Sequence, residues 1–151
     1  MDVDNNKPLI LVLCTGNSAR SQMAEGFLRK YHGHRFDVAS AGTEPKPHVH
    51  PLAVRAMDEA GVDISAHRPK DFNGFRTNAK VAHVLIVCDH ADKTCPRTWM
   101  GDFTRTFMPF EDPAAAGGTE AQQFDVFRRV RDQIEWAMKE WDPEANKAAS
   151  A

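Results

Sequence analysis

The chain is short of most features that would classify it at a glance. Its three cysteines are an odd number in 151 residues, which argues against the disulfide framework of small secreted domains and for thiol chemistry. Cys88 and Cys95 have six residues between them. That is too long for the knuckle of a zinc site, and no second close pair exists, so no metal centre is expected. No apolar run approaches the roughly 20 residues that cross a bilayer, and the start, Met1 to Lys7, is polar. A soluble, cytoplasmic protein is expected. The formal net charge is only -2, with both signs mixed along the chain, which excludes the basic stripe that nucleic-acid binding needs. Internal repeats and low-complexity linkers are also missing. The length suits one core. The expected organisation is a flexible N-terminus (1–7), a single catalytic domain (8–142) and a flexible tail (143–151).

What is present is an alternation of apolar runs and amphipathic stretches. Pro8 to Leu13, Phe36 to Ala41, Val81 to Val87 and Thr104 to Phe107 read as strands. Gln22 to His32 has Met23, Phe27, Leu28 and Tyr31 on one helical face; Pro51 to Ala60 reads as a helix closed by Gly61. A long helix is expected from about Thr119 to Trp141, with Phe127, Val130, Ile134, Met138 and Trp141 as its inward stripe. Val62 to Gly74 reads as mixed loop and short helix. The alternation predicts an α/β fold, an open four-stranded parallel sheet with helices on both faces. Ligands of such sheets bind beyond the carboxyl ends of the strands, where Cys14 and Cys88 both fall. The two thiols are therefore expected to meet.

The chemistry concentrates in Cys14-Thr15-Gly16-Asn17-Ser18-Ala19-Arg20-Ser21, a small-residue loop between the first strand and the first helix. Amides of such a loop converge on one point, the helix N-terminus adds partial positive charge, and Arg20 offers a planar fork. A tetrahedral oxyanion fits that arrangement. Gly16 is expected to supply the permissive backbone, Asn17 and Ser18 to bond local main chain, and Ser21 to reach back to the Cys14 sulfur. The same field predicts a Cys14 thiolate formed well below the free-thiol value of roughly 8.5. Cys14 is then a nucleophile inside an anion cradle.

These residues carry a resemblance that runs along nearly the whole chain. The loop continued through Gln22-Met23-Ala24-Glu25, then Ser40-Ala41-Gly42, Cys88 through Cys95-Pro96, Asp112-Pro113 and Phe127-Arg128-Arg129-Val130-Arg131 resemble the thioredoxin-coupled arsenate reductases. That family has the fold of the low-molecular-weight protein tyrosine phosphatases, a flavodoxin-like three-layer sandwich. The resemblance implies that Cys14 attacks arsenate held by Arg20 and the loop amides, and that Asp112 is the general acid. It implies further that Cys88 attacks the Cys14 adduct, giving a Cys14–Cys88 disulfide. Cys95 then attacks Cys88, and thioredoxin reduces the resulting Cys88–Cys95 disulfide. Phosphate and sulfate would compete as oxyanions, and a monomer without bound cofactor is expected.

Electron counting explains why such a relay needs more than one sulfur. Reducing arsenate to arsenite takes two electrons; a second thiol attacking the first supplies them as the disulfide forms. A helical Cys88–Cys95 segment would hold its ends about 10 Å apart, against the roughly 5.5 Å that a disulfide spans, so rearrangement on oxidation is expected. Relatives that bind potassium near the loop use positions matched here by Asn17, Glu25 and Ser40, but Lys70 stands at the fourth. Potassium is therefore not expected. His48, His50 and His90 are expected to be solvated side chains. The alternative function is a tyrosine phosphatase, which needs an aromatic wall where this chain has Ala114, Ala115 and Ala116. A third reading, a non-enzymatic arsenite or redox sensor, leaves Arg20 and the cradle without a use.

Overall fold

The structure is a computed structural model and describes residues 7–88 and 103–145. Four parallel strands form the sheet: β1 (Leu9–Cys14), β2 (Asp37–Gly42), β3 (Val81–Ile86) and β4 (Thr104–Phe107), in the order β2-β1-β3-β4. The described helices are α1 (Arg20–His32), α2 (Pro51–Glu59) and α3 (Glu120–Glu140), with 3-10 turns at Phe72–Phe75 and Pro113–Ala115. None of the described helices is long and apolar enough to cross a membrane.

β1 is apolar without alternation because it is central: all six of its residues are buried, as a parallel strand covered on both faces requires. The direction of the crossovers changes at β1, so the gap between the carboxyl ends of β1 and β3 is the topological switch point where such sheets bind ligands. The helices pack on one another, α3 lying against both α1 and α2. Phe124, Phe127, Val130, Ile134 and Met138 form the buried stripe of α3. Phe124 extends the expected set by one turn, while Trp141 lies past the helix end and is half-buried. Thr119 and Gln122 close a reciprocal capping box that starts this helix. Such a cap contributes about 1 kcal/mol.

Helix ends are set by ordinary local chemistry. α2 begins with Pro51 at its first position, and the His50 imidazole accepts the amide of Leu52 through Nδ1 at 3.1 Å. His50 is thus a helix cap, and its ring lies 4.6 Å from that of Phe127, where a solvated side chain was expected. Contacts continue past residue 142: Pro143 is buried and Glu144 Oε2 lies 3.0 Å from Nε2 of the buried His83.

Candidate active site

The anion loop is held by its carbonyls. Thr43 donates its amide to Cys14 O (3.1 Å), Glu44 to Thr15 O (2.9 Å), Lys46 to Gly16 O (2.9 Å) and His50 to Ser18 O (2.8 Å). The carbonyl of Asn17 accepts from Gln22 Nε2 at 3.1 Å, and that of Ala19 from Met23 N at 2.9 Å. With every carbonyl from residue 14 to residue 19 engaged in this way, the loop is fixed with its amides free for the concave side; Asn17 N already points to Cys14 Sγ at 3.1 Å. The Pro-rich stretch after β2 is the splint that achieves this, a role the sequence pattern did not reveal.

The permissive backbone conformation falls on Asn17, with φ of 52°, and Gly16 is not among the positive-φ glycines of the described residues. Asparagine tolerates this region because its side chain bonds locally. Here Nδ2 donates to Ser21 Oγ (2.7 Å) and Ser40 Oγ (2.9 Å), while Oδ1 accepts from Lys70 N (2.8 Å) and Gln22 Nε2 (3.2 Å). Asn17 is fully buried, so its amide is worth keeping only because all its capacity is used. Gly42 is needed for a different reason: a Cβ there would stand 2.5 Å from Thr15 O.

A proton-ordered chain reaches the nucleophile through that asparagine. Ser40 donates to Glu25 Oε1 at 2.6 Å and accepts from Asn17. Ser21 also accepts from Asn17, which leaves its own hydroxyl hydrogen for Cys14 Sγ, 2.9 Å away. Glu25 is only 3% exposed and is balanced by Arg29 Nη1 at 2.6 Å, with Lys70 Nζ and His67 Nδ1 at 4.0 and 3.9 Å. Burial lowers the Lys70 and His67 pKa values, and Glu25 pulls each back up. His67 Nδ1 lies 3.0 Å from Gln22 Oε1, and Arg68 O, 3.1 Å from Gln22 Nε2, shares the two hydrogens of that nitrogen with the Asn17 oxygens. Gln22, Ser40 and His67 are members of the site that the loop motif alone did not identify.

The expected depression of the Cys14 pKa is not found. Burial is the largest influence and pushes the thiol up, and the neighbouring Cys88 adds to it. The Ser21 hydroxyl and the amides of Asn17 and Ser21 pull it down without overcoming burial. Cys14 is 3% exposed, and Arg20 is turned elsewhere, donating through Nη1 to Phe110 O at 3.1 Å. Burial prevails over these hydrogen bonds, while Arg20 faces a carbonyl and a carboxylate.

That carboxylate belongs to Asp112, whose Oδ2 is 3.7 Å from Arg20 Nη2 and whose Oδ1 accepts from Ala114 N at 3.0 Å. The chain reaches this point because the residues after β4 keep following β3: Met108 N bonds Ile86 O and Phe110 N bonds Val87 O. Asp112 and Ala114 join Cys14 to Arg20, Glu44 and Lys46 around a cavity of about 520 Å³. No aromatic side chain lines it among the described residues.

Cys88 follows β3 on the neighbouring strand, is 3% exposed, and places Sγ 3.3 Å from Thr15 Oγ1. Both described cysteines are free thiols. The two sulfur-bearing residues predicted to meet are thus brought to one end of the sheet with a single hydroxyl of the loop beside the second. Cys95, His90 and the expected rearrangement of residues 88–95 lie outside the described residues.

A buried thiol in a main-chain loop at the switch point of a parallel sheet is the arrangement of a thiol-dependent α/β enzyme. The chain belongs to the low molecular weight phosphotyrosine protein phosphatase family, whose pattern matches residues 9–150. Its similar relatives include an arsenate reductase of Halalkalibacterium halodurans, 47% identical over 85% of this chain and 91% of the relative. The arsenate reductase of Bacillus subtilis is 43% identical over 88% of this chain and 94% of its own length. Among solved structures, an arsenate reductase in the phosphate binding state superposes with a TM-score of 0.73 at 29% identity, covering 95% of this chain and 98% of the other. An arsenate reductase in oxidized state gives 0.69 at 30% identity, over 88% and 94%.

Proposed function

We infer that this chain is an arsenate reductase that converts arsenate to arsenite through Cys14, Cys88 and Cys95. The observation that carries the reading is the pairing of a buried Cys14 inside an anion cradle with a second free thiol, Cys88, at the adjacent strand end. A phosphate-ester hydrolase has no use for the second sulfur, and relatives at 40–47% identity are arsenate reductases.

Arsenate enters the loop with its oxygens on the amides and the Arg20 fork. Its negative charge offsets the burial that opposes a thiolate, and the Ser21 hydroxyl stabilises sulfur as it attacks arsenic. Asp112 protonates the departing oxygen, which leaves as water. Cys88 then attacks Cys14 Sγ; the S–As bond breaks with its electron pair on arsenic, arsenite leaves, and two thiols have become one disulfide. Cys95 carries the disulfide to Cys88–Cys95, and thioredoxin supplies the two electrons that restore the thiols. The enzyme acts as a cytoplasmic monomer and needs no bound cofactor.

Lys70 stands in for an alkali cation behind the loop. Its ammonium is 4.0 Å from Glu25 Oε1 while its own amide holds Asn17 Oδ1, so activity is indifferent to potassium at constant ionic strength. Hydrolysis of aryl phosphates persists as a side activity, since cradle and acid are common to both reactions.

The test is coupled turnover. With thioredoxin, its reductase and NADPH, the protein is expected to oxidise NADPH only when arsenate is added. NADPH consumption independent of arsenate, or none with it, contradicts the reading. Glutaredoxin in place of thioredoxin checks the identity of the reductant.

A further inference from the structure

Among the described residues lining the site, Lys46 is the cation that the scheme above leaves without a task. Its stem lies flat over Gly16: Cγ, Cδ and Cε are all within 3.1–3.2 Å of where a Cβ on that glycine would stand. Its main chain is pinned by the bond from Lys46 N to Gly16 O at 2.9 Å and stiffened by Pro45 and Pro47 on either side. The residue lines the same cavity as Cys14, Arg20 and Asp112. Among the described residues its ammonium makes no hydrogen bond or ion pair, whereas Arg20 is shared between Phe110 O and Asp112. Burial is the main reason the His50 pKa is lowered; Asp112 opposes it and the Lys46 charge adds to it, so both charges reach the same rim.

We propose that Lys46 is a substrate-binding residue that forms one wall of the cradle and pairs with the outward oxygen of the anion, favouring inorganic tetrahedral oxyanions over their monoesters. An inorganic dianion bound with its reacting face on Cys14 presents a charged or hydroxyl oxygen toward the mouth; a monoester presents a carbon-bearing oxygen there. An ammonium gains from the first and meets an uncharged group in the second. The glycine at 16 serves this wall, leaving room for a lysine stem to lie directly on the loop. The inference rests on the proposed oxyanion chemistry but not on turnover.

The experiment measures protection of Cys14 from iodoacetamide by inorganic phosphate, read by peptide mass, in the wild type, Lys46→Met, Lys46→Arg and the remote Lys80→Met. Lys46→Met is expected to weaken phosphate protection about fivefold, with Lys46→Arg and Lys80→Met near the wild type. The KM for arsenate should rise by a similar factor with kcat much less affected, and the KM for p-nitrophenyl phosphate should rise less. Phosphate protection unchanged in Lys46→Met overturns the proposal, as does an equal loss for phosphate and the aryl ester. Because phosphate protection needs no reduction, a wild type inactive toward arsenate would refute the proposed function and leave this result readable.

Discussion

The two ends of the sheet carry cavities of nearly equal size, about 520 Å³ at the carboxyl end and about 550 Å³ at the amino end, and only one has the means to act on an anion. At the carboxyl end, the loop carbonyls are all tied by hydrogen bonds, Arg20 lines the same cavity as the loop, and two free thiols lie at the ends of adjacent strands. At the amino end, Pro8, Phe36 and Phe103 share the lining with Arg35, His83 and Glu144. There the buried His83 is already engaged, by Glu144 at 3.0 Å and by edge-on packing with Phe36 and Trp141, ring centroids 5.6 and 6.4 Å away. Volume does not distinguish the ends; the direction of polar groups does. The amino end is a closing joint that ties the chain after α3 to the foot of β3.

Substitutions at the two ends should therefore separate cleanly into losses of chemistry and losses of stability. Cys14→Ser is expected to lower arsenate reduction by about a thousandfold or more without lowering the melting temperature, since nucleophile removal leaves only binding. Asp112→Asn should bind arsenate but turn over about a hundredfold more slowly, the usual worth of a positioned acid. Unchanged turnover would remove Asp112 from the mechanism. Gly42→Ala sets a Cβ 2.5 Å from Thr15 O, a backbone clash that should cost about 1–3 kcal/mol and most of the phosphate affinity together. His83→Ala, at the other end, should cost about 2 kcal/mol by calorimetry and leave kcat/KM alone. A loss of turnover there would break the division between the ends.

Smaller effects sharpen the same contrast through pH. In the anion-free protein, alkylation of Cys14 should titrate above the ordinary thiol value, and Ser21→Ala should move it higher by removing the largest lowering influence. Because the folded thiol is harder to ionise than the unfolded one, its contribution to stability is complete below the ordinary thiol pKa and is lost as pH rises through the folded value. Glu59 runs the other way. Arg128 and Arg131 hold its exposed carboxyl at about 2 against an ordinary 4.5, so the small stabilisation it gives is present above 4.5 and disappears as pH falls toward 2. A melting curve of Glu59→Gln that keeps the wild-type acid dependence would contradict this.

Much of the sheet could be seen in the residues because buried parallel strands are continuous apolar runs, and each observed strand lies within one residue of its expected bounds. Helix α3 was equally plain, its stripe and its Thr119 cap being local signals. The thiol, the arginine and the loop between them stood out because sequence-adjacent residues build them. What escaped was whatever depends on residues distant in the chain. The splint at 43–50 bonds the loop only after β2 comes alongside β1. Gln22 and His67 meet across 45 positions. The Cys14 pKa is shifted in the opposite direction because burial, its largest cause, is a product of folding. His50 looked like a loop residue and proved to be a cap, since a cap is defined by the helix that follows it.

Arsenate reduction by this chain requires that Cys14 and Cys88 exchange a bond at the carboxyl end of β1 and β3. A Cys95→Ser variant, fully reduced and given one equivalent of arsenate, isolates that step when acid-quenched and mapped by mass spectrometry without reductant. One arsenite released per chain and a Cys14–Cys88 disulfide in matching amount are expected. Arsenite release with both thiols still free, or no disulfide between these two positions, would contradict that exchange.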